Sequence, residues 1–118
     1  MRVKNVYNVG KTDIILDIGP KTQRIFSQNI KNGKTLVWNG PMGMFEQERF
    51  KHGTLGIARV MASRSKGKAF GVAGGGETVE ALKMTKMMEY VDWVSTGGGA
   101  MLSYLGGDEM PGLEKLIK

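Results

Sequence analysis

Four short runs of β-branched and aromatic residues each stop at a glycine, and this repeated stop constrains the fold more than any other feature. The runs lie at 14–18 before Gly19, at 35–38 before Asn39-Gly40, at 69–73 before Gly74, and at 91–94 before Ser95-Thr96-Gly97. Nearly continuous apolar segments of this length, bounded by glycine, read as buried strands of a parallel sheet. Helix signals fill the intervals. Pro20 suits a first helical position, Ile25, Phe26 and Ile30 form an apolar stripe, and Asn32-Gly33 stop it. A second helix is predicted over about 46–65, with Ile57, Val60 and Met61 on one face. A third is predicted over 78–88, where Val79 and Leu82 make one stripe and Met84, Met87 and Met88 another. Residues 100–105 offer a short turn or two before Gly106-Gly107, and Pro111 opens a last helix. The order βαβαβαβα specifies an α/β layer structure, a parallel sheet joined by right-handed crossovers.

Composition narrows the classes further. At 118 residues and 41% hydrophobic, the chain suits one globular domain. Glycine, at 18 residues, is about twice its ordinary ~7% usage, without the Gly-X-Y period of collagen. The absence of cysteine removes disulfide frameworks, cysteine-ligated zinc and thiol nucleophiles together. No charged-then-apolar leader pattern is present, and no apolar run approaches the ~18 residues of a membrane span, so the expectation is a cytoplasmic chain with no membrane partner. The net charge of +6 suits an anionic partner, nucleic acid or a phosphorylated small molecule, or else a merely solvated basic surface. The basic residues are dispersed and lack interleaved aromatics, which argues against nucleic acid.

The predicted topology has a functional consequence. In a parallel sheet every strand-to-helix turn emerges at the same edge, where ligands bind. The turns at 40–43, 74–76 and 97–99, scattered in sequence, are therefore expected to gather in space. Gly74-Gly75-Gly76-Glu77-Thr78 lies between a strand and a helix, so its backbone N–H groups can form an anion-binding nest beside a helix N-terminus. Thr78 could cap that helix or bond a phosphate oxygen, and Glu77 could hold a phosphate-borne Mg²⁺ or simply complement the helix dipole. Ser95-Thr96-Gly97-Gly98-Gly99 repeats the arrangement one βα unit later. Paired nests suit a polyphosphate or a phosphoryl group in transfer. Neither turn is a Walker A loop or the dinucleotide G-x-G-x-x-G fingerprint. In the third turn, residues 38–46, Met44 and Phe45 could line a base pocket or pack the loop, and Glu46 could accept from ribose hydroxyls.

These segments together resemble the carboxy-terminal, nucleotide-binding part of phosphoglycerate kinase. Residues 17–22, DIGPKT, are similar to that family's DIGPKT, and 38–46, WNGPMGMFE, to its WNGPMGVFE loop. Residues 50–54, FKHGT, resemble its F-x-x-GT helix start, 74–78 its GGGDT, 95–100 its STGGGA, and Met110-Pro111-Gly112 its closing LPG. Order and spacing agree across about 14–113. The resemblance implies a partial Rossmann-like α/β fold, with residues 1–118 as a single partial nucleotide-binding domain that lacks the substrate domain. It implies ADP or ATP as partner, with Asn39, Gly40, Pro41 and Met44 on the adenine side and Glu46 at the ribose. Gly74, Gly75, Gly76 and Thr78 would lie along the nucleotide phosphates, Glu77 would ligate Mg²⁺, and Gly97, Gly98 and Gly99 would donate to the transferring phosphoryl group.

The implied reaction is reversible transfer between 1,3-bisphosphoglycerate and ADP, in glycolysis. Two residues depart from the family pattern: Glu77 stands for Asp, one methylene longer, and Met101 for Ser. His52, inside the FKHGT segment, reads as a surface residue rather than a catalytic base. The chain has no counterpart of the substrate domain or of the earlier strands with their phosphate-binding lysines. It is therefore expected to be inactive alone and to need the remainder of the kinase chain as partner. The alternatives are a non-catalytic nucleotide or phosphate binder, and a fragment that self-associates through an exposed sheet edge.

Overall fold

A computed structural model describes residues 1–116. The regular elements are α1 (Pro20–Asn32), β1 (Thr35–Asn39), α2 (His52–Arg64), β2 (Phe70–Gly74), α3 (Gly76–Thr85), β3 (Trp93–Ser95), α4 (Gly98–Gly106) and α5 (Pro111–Glu114). The three strands are parallel in the order β1-β2-β3, with Val37 beside Val72 and Val72 beside Trp93. The α/β class and the open parallel sheet follow the expectation.

Four local readings are corrected. Residues 14–18 form no strand. Leu16 gives its carbonyl to the N–H of Met44 at 2.9 Å, and Asp17 accepts the N–H groups of Ile18 and Gly53, so the segment is tied to loops instead of to a sheet edge. The second helix starts at His52 rather than near 46, after a 3₁₀ turn at Glu48–Phe50. The third runs from Gly76 to Thr85, because Lys86 adopts a left-handed conformation (φ 56°) that closes it. The fourth begins two residues early, with Gly98 and Gly99 already helical.

The strands also differ from the both-faces-buried reading. Along β1 the pattern alternates, Leu36 and Trp38 buried and Val37 exposed. The cause is topological. The strand order runs in one direction, and crossovers of one hand, the right-handed rule for parallel strands, then put α2 and α3 on the same sheet face. The core forms there, from Leu36, Trp38, Ala73, Ile57, Met61 and Leu82, with Phe45 of the loop after β1 joining it. α1 packs outside α2, placing Ile30 against the core. The second face carries Val37 (48% exposed), Phe70 (54%) and Trp93 (65%), and α4 and α5 approach it near β3.

Candidate functional site

The carboxy-terminal ends of the strands converge as the topology requires. Asn39 closes β1 and donates from Nδ2 to the Gly98 carbonyl at 3.3 Å, joining the first turn to the third. Gly40 follows with φ +94°, and its N–H donates to Thr78 Oγ1 at 2.7 Å, joining the first turn to the second. Gly75 donates its N–H to the Ser95 carbonyl at 3.2 Å, joining the second turn to the end of β3. Three segments separated by some sixty residues of chain are thereby tied edge to edge.

Two glycines make this approach possible. Gly75 holds φ +97°, a conformation that residues with a Cβ rarely adopt. A Cβ on Gly98 would lie 2.5 Å from the Gly75 Cα and 2.7 Å from its nitrogen, inside any tolerable contact. The backbones of the two turns therefore touch. Each turn opens a helix, α3 capped by Gly75 and α4 by Gly97, and neither has a side-chain cap. The first intrahelical bonds come from Val79 and Met101, so the N–H groups of 76–78 and 98–100 precede the helical ladder. Two uncapped helix N-termini side by side present donors and partial positive charge to one place, the arrangement that binds phosphate oxygens.

Of the two parts expected of Thr78, helix cap or phosphate ligand, the structure sets aside the cap. It sits in the third position of α3, wholly buried, and its hydroxyl receives Gly40. Its visible work is to fix the turn after β1. Glu77 is exposed in the first turn of α3. The ion pairs among the described residues are Lys4–Asp13 and Lys51–Glu48, so no cation engages Glu77 or Glu46. No cluster of three or more metal-ligating side chains occurs among the described residues. A single free carboxylate at an uncapped helix start fits Mg²⁺, an ion that keeps most of its waters and takes other ligands from phosphates when it travels with them.

The loop at 40–46 is shaped from beneath. Trp38 Nε1 donates to the Gly40 carbonyl at 2.7 Å, and the Met42 N–H donates to the buried Thr54 hydroxyl at 3.1 Å. Gly43 passes so near Leu16 and Asp17 that a Cβ would meet the Leu16 carbonyl oxygen at 2.5 Å. Phe45 is buried and Met42 packs on the core, so this part of the loop is packing. Met44 is 42% exposed, Pro41 half-buried, and Glu46 exposed, which leaves them on the open side.

Sequence reasoning missed three supporting residues. Asp17 clamps 18 and 53, Thr54 holds Met42, and Asp92 Oδ2 accepts the N–H groups of Gly71 at 2.7 Å and Lys66 at 3.0 Å. These donors, Gly71 first, hold the Asp92 carboxyl below its ordinary 3.8. Asp17 and Thr54 lie in the DIGPKT and FKHGT segments without showing what they hold, and Asp92 shows only as a lone acid inside an apolar run.

The comparisons agree with this geometry. A family model, Phosphoglycerate kinase, matches residues 1–108. A phosphoglycerate kinase of Chloroherpeton thalassium is 46% identical over 101 residues, 86% of this chain and 25% of that protein. The solved phosphoglycerate kinase of Coxiella burnetii superposes with a TM-score of 0.82 at 38% identity, over 91% of this chain and 27% of its own. That of Pyrococcus horikoshii gives 0.75 at 37% identity, over 87% and 24%. The chain spans about a quarter of the length of the relatives it matches. A match over most of the chain, in sequence and in backbone alike, places it in the phosphoglycerate kinase family.

Proposed function

We propose that this chain forms the nucleotide-phosphate side of a reversible phosphoryl transfer between 1,3-bisphosphoglycerate and ADP. The observation that carries the reading is the contact of Gly75 with Gly98, which sets the uncapped starts of α3 and α4 side by side. Phosphoryl transfer asks little covalent chemistry of a protein and much positioning and charge stabilisation. The N–H groups of Gly76 and of Gly98 and Gly99 would hold phosphate oxygens, with Gly97 bending the chain into α4. Glu46, Asn39, Gly40, Pro41 and Met44 would receive the nucleoside. Glu77 would ligate a Mg²⁺ that neutralises the phosphates, its extra methylene being taken up by an exposed, unpaired side chain.

The chain by itself is proposed to bind nucleotide weakly and to transfer nothing, because a clamp that works by surrounding charge is only partly present. Three quarters of the relatives' length has no counterpart here, and that remainder is the proposed partner. The test has two parts. Titration with Mg-ATP, followed by NMR at the amides of 75–76 and 97–99, is expected to shift those resonances at millimolar nucleotide. A coupled assay of ATP formation is expected to stay at the no-protein baseline. Unmoved glycine amides would end the nucleotide reading, and turnover above baseline would end the inactivity. The exposed Val37, Phe70 and Trp93 favour a second reading, in which the chain also self-associates.

A further inference from the structure

A cavity of about 810 Å³ lies between the segment before α1 and the starts of α1 and α2, and none of the glycines at 74–76 or 97–99 lines it. Its volume is within the ~300–1,000 Å³ of small-molecule sites. The charged and titratable side chains lining it are Arg2, Lys4, Asp13, Asp17, Arg49 and His52. Both carboxylates are already engaged by the protein. Asp13 Oδ2 holds the Lys4 ammonium at 2.6 Å and the Gly10 N–H at 2.6 Å. Asp17 gives one oxygen to the Ile18 N–H and the other to the Gly53 N–H.

The two guanidinium groups have no such partner. Among the described residues only Lys4 and Lys51 form ion pairs. Lys51 takes Glu48 at 2.6 Å, which removes the one acid adjacent to Arg49. The cavity is thus lined by unpaired cations whose planar donor sets match carboxylate and phosphate. Apart from Gln23, which donates to the Ile18 carbonyl, its remaining wall is apolar, with Val3, Ile14, Ile18 and Phe50, and Ile14 is 80% exposed. A purely ionic ligand would leave that wall wet, and a purely apolar one would leave the cations without counter-charge.

We infer that this cavity binds a small molecule with one oxyanion head, carboxylate or phosphate, on an apolar body, independently of the nucleotide at the glycine edge. The probes are phenyl phosphate and benzoate, with inorganic phosphate and benzyl alcohol as the separated halves, titrated into the full chain and followed by amide NMR. One of the two amphipathic anions is expected to shift Gly19, Phe50 and His52 saturably, at least tenfold more tightly than either half. The Arg2→Ala/Arg49→Ala double variant is expected to weaken it at least tenfold, with the glycine-edge resonances and the Mg-ATP response unchanged. Raising NaCl from 50 to 500 mM is expected to weaken it in the parent chain, an arm that needs no variant. Shifts confined to 75–76 and 97–99, equal binding of benzyl alcohol, or indifference to both the variant and salt would each overturn the assignment.

Discussion

The residue that decides the site is Gly98. It is buried where α4 meets the turn before α3, and its missing Cβ is what lets the two backbones touch. Gly98→Ala is expected to push α4 away from Gly75, costing about 1–3 kcal/mol as an overpacked contact with rigid backbone. Gly99→Ala, in open space one residue on, is the control and should be near neutral in thermal unfolding. Thr78 acts at the same scale. Thr78→Val leaves the Gly40 N–H without its acceptor, and chemical denaturation should show a loss of about 1 kcal/mol. If nucleotide binding depends on the turn after β1, Mg-ATP shifts at Gly40 should shrink in that variant more than those at Gly99. Glycine content alone did not reveal which of the 18 glycines carried such contacts. The distinction lies in what each one faces, and chain neighbours do not report it.

At the scale of elements, position in the sheet separates the expectations that hold from those that do not. Strands at β1, β2 and β3 were legible because each apolar run meets a parallel neighbour that uses its backbone groups. The run at 14–18 has comparable composition and no such neighbour, so the Leu16 carbonyl accepts the Met44 N–H and the Asp17 carboxylate accepts those of Ile18 and Gly53. Helix starts were legible at Pro20 and Pro111, where proline marks the first turn. They were less so at α3 and α4, whose glycines read as turn and prove partly helical.

The link between β2 and β3 yields a pH prediction. Asp92, just before β3, binds the amides of Gly71 and Lys66 as a carboxylate, so its folded pKa is depressed. Its stabilisation is complete above the unfolded value of 3.8 and is lost as pH falls through the lower folded value. Asp92→Asn is accordingly expected to lower Tm at pH 7 and to differ less from the parent at pH 3. A Tm difference that stays constant across that range would rule out the charge as the cause.

At the scale of the whole molecule, the unusual quantity is size. The radius of gyration is 16.0 Å, against about 13–14 Å for a compact domain of this length. Two features account for the excess. Residues 1–15 are exposed throughout, and α2 and α3 layer one sheet face while α4 and α5 reach the other beside β3 alone. Parallel sheets ordinarily have both faces covered. Val37, Phe70 and Trp93 are therefore expected to find cover. Sedimentation should show concentration-dependent association for the chain alone, reduced by Trp93→Lys on the exposed face; a strict monomer up to about 1 mM would remove that reading. The charge of +6 works against association and should make it stronger at higher salt.

Local composition determined the class of this protein, the alternation of strands and helices from α1 onward, and the identity of the three turns that meet at one edge. Those properties depend on near neighbours and on the handedness of crossovers, which the chain carries wherever it folds. Tertiary structure alone decided that 14–18 is no strand, that one sheet face stays open, that Thr78 serves Gly40 instead of capping α3, and that Gly98 seats on Gly75. Each of these rests on which distant group arrives beside a residue, and a backbone donor or an apolar face is completed only by what reaches it.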